Sequence, residues 1–266
     1  MEALQLIRHI GRAPEILAAR RQTTTTSALL KRYLRIGAGA YPFEIALSGG
    51  GSLTLSDPEE VKVFWQIFVR GSYQLPLRCD AILDCGANVG IFSVWAARQR
   101  PSARIVALEP FPRTYSALEA NIRANSFEHR VRCVPMGLAA TAGERQIRIE
   151  GHSPNHGLVL AGSEDMAEAT VAVQCIDLAE CLRQHQLGAV DLLKMDIEGS
   201  EWEVLLSTSP SVLRRFRHIQ VEYHEVNARF GYTPDQLFAH LGSAGHRLTF
   251  RREDSKRTGT AYFERA

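Results

Sequence analysis

In "ILDCGANVGIFSVWAA", residues 82–97, an apolar run reaches Asp84 and gives way to Gly86, Asn88 and Gly90 before a helical pattern begins. Glycine makes a turn without side-chain bulk, and a helix start offers unpaired N–H groups, so a ligand can approach the main chain closely there. Glu109 follows at the end of "RIVALE", about 20 residues on, where a carboxylate can accept bonds from both ribose hydroxyls of a nucleotide-type cofactor. That pairing serves a nicotinamide dinucleotide as well as S-adenosylmethionine. The turn separates them. A pyrophosphate-binding G-x-G-x-x-G needs its second glycine where this chain has Asn88, and the spacing of the third is wrong. A methionine tail brings an ammonium, which can donate to Asp84 and to backbone carbonyls. These residues point to S-adenosylmethionine.

Holding such a turn takes a parallel sheet. Strand-like runs at 81–85, 104–109, 131–137, 191–197 and 218–224 alternate with helical patterns near 90–100, 113–125, 200–208 and 234–244. The alternation predicts an α/β fold, a doubly wound, mostly parallel sheet with helices on both faces. "HRLTFRRE" and "TAYFERA", joined by the turn-rich "DSKRTG", predict an antiparallel C-terminal hairpin at one sheet edge. In open sheets of this kind, ligands bind outside the carboxyl ends of the strands, which is where the 84–90 turn falls.

Residues 1–78 form an N-terminal helical and strand cap, and 79–266 the main domain. The cap either covers one sheet face or brings Tyr73 over a ligand, and the two roles are compatible. Hairpin-like "RQIRIEG" and "TVAVQCI" flank a polar inserted loop, 151–170, long enough to read as functional or mobile. The net charge of +2, with 45% hydrophobic and 23% charged residues, is that of a soluble globular protein and argues for neither nucleic acid nor membrane. No apolar run is long enough to span a bilayer, and the first residues carry no secretory core. Cysteines 79, 85, 133, 175 and 181 form an odd set without a C-x-x-C pair, expected as reduced buried thiols in a cytoplasmic protein.

"LDCGANVGIFSVWAA", "VALEPFPRTYSALEANIRAN", "DLLKMDIEGSEWEVL" and "VEYHE" resemble, in order and spacing, the successive motifs of FkbM-type S-adenosylmethionine-dependent methyltransferases. The resemblance covers about 60–245. It implies a seven-stranded, Rossmann-like class I methyltransferase fold and, as a rule, O-methylation of a sugar or other hydroxylated small molecule in a biosynthetic pathway. Carried onto this chain, it implies that Asp84, Gly86, Asn88 and Gly90 form the cofactor turn. Glu109 would hold the ribose, and Met136 and Gly137 would flank the adenine.

Methylating an alcohol requires a base beside the transferred methyl. The fourth and fifth strands of such a sheet would deliver Asp196 and Glu198 from "KMDIEGSE", and Glu222 and His224 from "VEYHE". Period-two alternation places Lys194, Asp196 and Glu198 on one side, and Glu222 with His224 on one side of their own strand. Lys194, inside an apolar run, needs a carboxylate partner if buried. Asp196 is the first candidate for the reacting centre, contacting cofactor or acceptor. His224, whose unperturbed pKa is about 6.5, is the first candidate for general base, against a structural role for the same ring. Glu201 reads as an acid favouring a helix N-terminus. Asp196, Glu222 and His224 could also hold a divalent cation such as magnesium, although the adjacent Asp-Asn or Asp-Asp pair of metal-dependent methyltransferases is missing. The expected partner is a hydroxylated small molecule or glycan, with homo-oligomers left open. N- or carboxyl-methylation is an alternative. RNA methylation is another, favoured slightly by the basic N-terminal segment and opposed by the near-neutral chain.

Overall fold

Strands buried on both faces read as continuous apolar runs, and the centre of this molecule is made of such strands. The computed structural model describes residues 13–37, 39–148, 170–224, 231–253 and 258–265. The N-terminal segment supplies α1 (Ala13–Gln22), α2 (Thr26–Tyr33), the β1 (Phe43–Ala46) and β2 (Ser52–Leu55) hairpin, and α3 (Pro58–Phe64). Asp57 caps α3, its side chain accepting from the N–H groups of Glu59 and Glu60. The helix then runs on into a π turn, Trp65–Val69.

The alternating part follows as β3 (Ala81–Cys85), α4 (Ile91–Gln99), β4 (Arg104–Leu108), α5 (Pro112–Ala124) and β5 (Val131–Val134). Next come β6 (Gly137–Leu138), β7 (Gly143–Arg148), β8 (Thr170–Ile176), α6 (Leu178–Gln184) and β9 (Val190–Met195). The chain closes with α7 (Glu201–Ser207), α8 (Pro210–Leu213), β10 (Phe216–Tyr223), α9 (Pro234–Ser243), β11 (His246–Glu253) and β12 (Gly259–Arg265). The seven-stranded sheet runs β11-β12-β10-β9-β3-β4-β5. Strands β5, β4, β3, β9 and β10 are parallel, and β12 is antiparallel to both its neighbours. This is the expected class I methyltransferase sheet, with its antiparallel hairpin. Strands β6, β8 and β7 form a separate small sheet. The loop expected at 151–170 lies, except for Thr170, outside the described residues.

Alternation along the strands sorts two cores. Ile82, Ile105 and Leu192 face one way and pack with Leu29, Ile45, Phe64 and Trp65 of the N-terminal segment. Leu83, Leu193 and Met195 face the other way, against Trp202, Leu205 and Leu237. The N-terminal segment therefore completes one face of the sheet. The change in winding direction lies between β3 and β9, so the carboxyl ends of these neighbours open onto one cleft. Cys79, Cys85, Cys133, Cys175 and Cys181 are all free thiols. No helix among the described residues is long and apolar enough to cross a membrane.

Candidate active site

The turn after β3 leaves no room for a side chain at Gly86. Its φ is +74°, and a Cβ there would lie 1.7 Å from the Asp196 carbonyl oxygen. The β3 and β9 turns therefore touch through main chain. Gly90 has φ +86° and sits against Leu118 of α5. The N–H groups of Gly86 and Ala87 donate to Leu108 O, and that of Gly90 to Ala87 O. Asn88 N–H donates to Glu109 Oε2 (3.0 Å), and Val89 N–H to Asn88 Oδ1 (2.7 Å). Each backbone N–H from 86 to 90 thus has an acceptor within the protein. Glu109 Oε1 accepts from Phe111 N–H (3.0 Å). Burial pushes the Glu109 carboxyl up to about 7, against the lowering effect of these two N–H groups.

Behind the turn, Lys194 pairs across β9–β3 with Asp84. Both are buried, and Lys194 Nζ lies 3.2 Å from Asp84 Oδ1 and 3.8 Å from Asp196 Oδ2. It also donates to Gly86 O at 2.7 Å. Asp84 Oδ2 accepts from Ser93 Oγ (2.7 Å). The carboxylate that burying Lys194 requires is therefore Asp84, with Asp196 beyond it. Asp84 is itself wholly buried and engaged from within, so it backs the turn and does not line the cleft.

The ends of β9 and β10 carry the acids and the imidazole. Past β9 the chain turns through Glu198 (φ +53°) and Gly199 (φ +103°) into α7. Glu201 begins that helix as a fully buried carboxylate. Its Oε1 accepts from Ile197 N–H (2.8 Å) and its Oε2 from Gly199 N–H (2.9 Å). His224 Nδ1 lies 3.2 Å from Glu201 Oε1, and Nε2 lies 3.7 Å from Glu198 Oε2. Trp202 Nε1 donates to the His224 carbonyl (2.7 Å), so α7 grips both ends of this residue.

This environment moves the imidazole away from its ordinary pKa. Burial alone would lower the proton affinity of His224, but the hydrogen bond to Glu201 and the charges of Glu201, Asp196 and Glu198 overcome it and hold its pKa at about 10. At neutral pH the ring is an imidazolium. Glu222 moves the other way: burial, then the like charge of Asp196, lifts its carboxyl to about 7. Glu198 is lifted to about 7 by the same two causes in the same order. Tyr73 Oη donates to Glu222 Oε2 (3.2 Å) and its ring tilts against Phe92.

Asp196, Glu198, Glu222 and His224 line one cleft with Gly86, Asn88, Lys194 and Tyr73. The opposite wall comes from α3 and its π turn: Glu59, Lys62, Val63, Gln66 and Ile67. Sequence reasoning missed Lys62 and Gln66. The available signal was a polar stripe at helical spacing, Glu59–Lys62–Gln66, along an otherwise buried helix. Met136 and Gly137 do not line this cleft; Gly137, which opens β6, packs between Pro110 and Cys175. Among the described residues the metal-sized cluster is Asp196, Glu201 and His224, each with a ligand atom within 4.8 Å of the others, so Glu201 stands where Glu222 was expected. Both Glu201 oxygens already accept N–H groups, and an imidazolium has no lone pair to give. Glu201 and His224 form an ion pair within it.

Residues 84–250 match the family model of the methyltransferase FkbM domain. The chain belongs to this family. Methyltransferase sdnD of Sordaria araneosa is 29% identical over 195 residues, 63% of this chain and 74% of its own. The 31-O-demethyl-FK506 methyltransferase FkbM of Streptomyces tacrolimicus is 27% identical over 191 residues, 60% of this chain and 72% of its own. Among solved structures, the methyltransferase FkbM from Methylobacillus flagellatus KT aligns with 90% of this chain at 14% identity and a TM-score of 0.47. This chain spans 58% of that protein's length. The family segment holds the glycine turn, Glu109 and the ends of β9 and β10, whereas Tyr73 and the α3 wall lie before it.

Proposed function

We propose that this chain transfers a methyl group from S-adenosylmethionine to a hydroxyl of a small molecule: a sugar, a glycoside or another hydroxylated natural product. The observation that carries this reading is the meeting of the glycine turn with Asp196, Glu198, Glu222 and His224 in one cleft. The residues suit the cofactor. Its sulfonium and ammonium are cations, and burial with mutual repulsion lifts the Glu198 and Glu222 carboxyls to about 7, a crowding that an added cation relieves. Each Glu109 oxygen accepts one N–H, which leaves acceptor capacity for ribose hydroxyls. Gly86, Asn88, Gly90 and Asp196 would hold the methionine end, with Asp84 behind them, and Met136 and Gly137 would stand on the adenine side.

When bound, S-adenosylmethionine supplies a methyl group on an already activated sulfur. What this chain's residues add is alignment, exclusion of water and removal of a proton. Glu222 is the base: it lines the cleft and titrates at about 7. His224, kept protonated by Glu201, provides the positive charge that favours the ionised form of Glu222. Asp196 accepts the hydrogen bond of the acceptor or cofactor. Oxygen as the acceptor atom is supported by the Streptomyces tacrolimicus relative, which is a methyltransferase of 31-O-demethyl-FK506. The net charge of +2 weighs against RNA as the acceptor.

Mass spectrometry of hydroxylated acceptors incubated with protein and S-adenosylmethionine tests the reading. The expected result is a gain of one methylene mass at a hydroxyl oxygen. Gain only on amines or carboxylates would overturn the hydroxyl assignment.

A further inference from the structure

Lys194 is a buried cation that the proposed chemistry does not use. Its position is set by register, since it stands across from Asp84, the last residue but one of β3. A buried ammonium requires acceptors on several sides, and the structure provides them at the point where the β3 and β9 turns meet. Nζ lies 2.7 Å from Gly86 O, 3.4 Å from Cys85 O, 3.2 Å from Asp84 Oδ1 and 3.8 Å from Asp196 Oδ2. Asp84 Oδ1 accepts no hydrogen bond apart from this contact, so Lys194 alone answers that oxygen. A simple ion pair would need Asp84 only. Here the ammonium also reaches the carbonyl of the one glycine whose missing Cβ lets the two turns touch.

We propose that Lys194 is a positioning residue for the methyl donor: by drawing the Gly86 carbonyl, Asp84 and Asp196 to one ammonium, it holds the two strand-end turns at the separation that admits the cofactor. The inference rests on the proposed S-adenosylmethionine site. Without Lys194, the Gly86 carbonyl loses its donor, and Asp196 loses the cation that turns it toward the glycine loop.

Calorimetric titration with S-adenosylhomocysteine, which needs no acceptor, tests this on the full chain. The double variant Asp84→Asn/Lys194→Met removes both buried charges, so that no unpaired carboxylate is left at position 84. Thermal unfolding reports its stability separately. The expected result is a cooperatively folded variant whose Kd rises about tenfold or more. Wild-type affinity in that variant would overturn the inference and leave Lys194 as the counter-charge of Asp84. Lys194→Arg is the second arm if the double variant does not fold. A guanidinium keeps the charge but cannot seat a compact ammonium among these oxygens, so a Kd rise of about fivefold or more is expected. Unchanged affinity there overturns the inference equally. Wild-type protein that does not bind at all would overturn the cofactor assignment itself, and the inference with it.

Discussion

At the ends of β3 and β4, polar groups are answered by main chain or by one fixed partner; at the ends of β9 and β10, they answer one another. Glu109 takes the N–H groups of Asn88 and Phe111, and Asp84 takes Ser93 and Lys194. Asp196, Glu198, Glu222 and His224 instead crowd together, and the charge of Asp196 raises the proton affinity of the other three. The first region is preorganised, and its cost is met on folding. The second holds charge poised to shift. Changes in the first should appear as affinity and stability, and changes in the second as rate and pH dependence.

The largest effect expected is on the second region. Glu222→Gln should lower turnover of an accepted substrate by about a hundredfold to ten-thousandfold, with S-adenosylhomocysteine affinity little changed. The pH profile sharpens the assignment. A base must be ionised, so wild-type turnover should rise with pH through an ionisation at or below about 7, where burial and Asp196 place the Glu222 carboxyl before the cofactor's cation lowers it. The variant should lack that limb. His224, protonated up to about 10, cannot produce it. A limb retained in Glu222→Gln would move the base to Glu198, whose carboxyl is lifted to about 7 as well.

Gly86→Ala probes the first region. The added methyl would meet the Asp196 carbonyl, which is backbone and cannot swing aside, at a φ of +74°. A destabilisation of about 2–4 kcal/mol is expected in denaturant unfolding. Gly50, with φ +102° and no atom near its Cβ position, is the comparison site. Gly50→Ala should cost less, about 1 kcal/mol, from backbone strain alone. Equal costs would mean that close contact between the turns contributes nothing.

The two regions also differ in how far the sequence revealed them. The glycine-turn side is local: "AILDC", the glycines and Glu109 lie within one βαβ unit, and glycine spacing marks the turn. The need of Lys194 for a carboxylate could likewise be read from the cost of burying an amine. The cluster at the ends of β9 and β10 is not local. His224 has an ordinary pKa until folding places Glu201 of α7 3.2 Å from its Nδ1, and nothing in "VEYHE" announces that neighbour. Glu201 read as a helix-start acid, which it is; its hold on the turn and on His224 comes from tertiary contact alone. The α3 wall escaped for another reason. A cap helix with a buried stripe looks complete as packing, and the π turn that continues it has no sequence signature.

Glu109 gives a smaller effect. Glu109→Ala should weaken S-adenosylmethionine binding by about 1.5–3 kcal/mol, through loss of a charge-assisted contact. Because the same carboxylate ties down Asn88 and Phe111, calorimetry on Glu109→Gln is the cleaner comparison. The amide keeps one acceptor oxygen, so about half the loss is expected. Unchanged affinity in both variants, each shown to be folded, would remove Glu109 from the ribose role.

The smallest effect expected is none. If Asp196, Glu201 and His224 held a cation, excess chelator would abolish turnover and magnesium would restore it. Their geometry favours a proton instead. Glu201 is fully buried, with both oxygens committed to the Ile197 and Gly199 N–H groups, and it faces a ring whose pKa stands at about 10. To ligate a metal, that ring would have to lose its proton and its bond to Glu201 together. Magnesium prefers oxygen and gives up water reluctantly, so it gains little from such an exchange. Turnover in excess chelator should match that without it, at pH 7 and again at pH 9. Loss at either pH, with recovery on adding magnesium, would make the second region a metal site and cancel its contrast with the first.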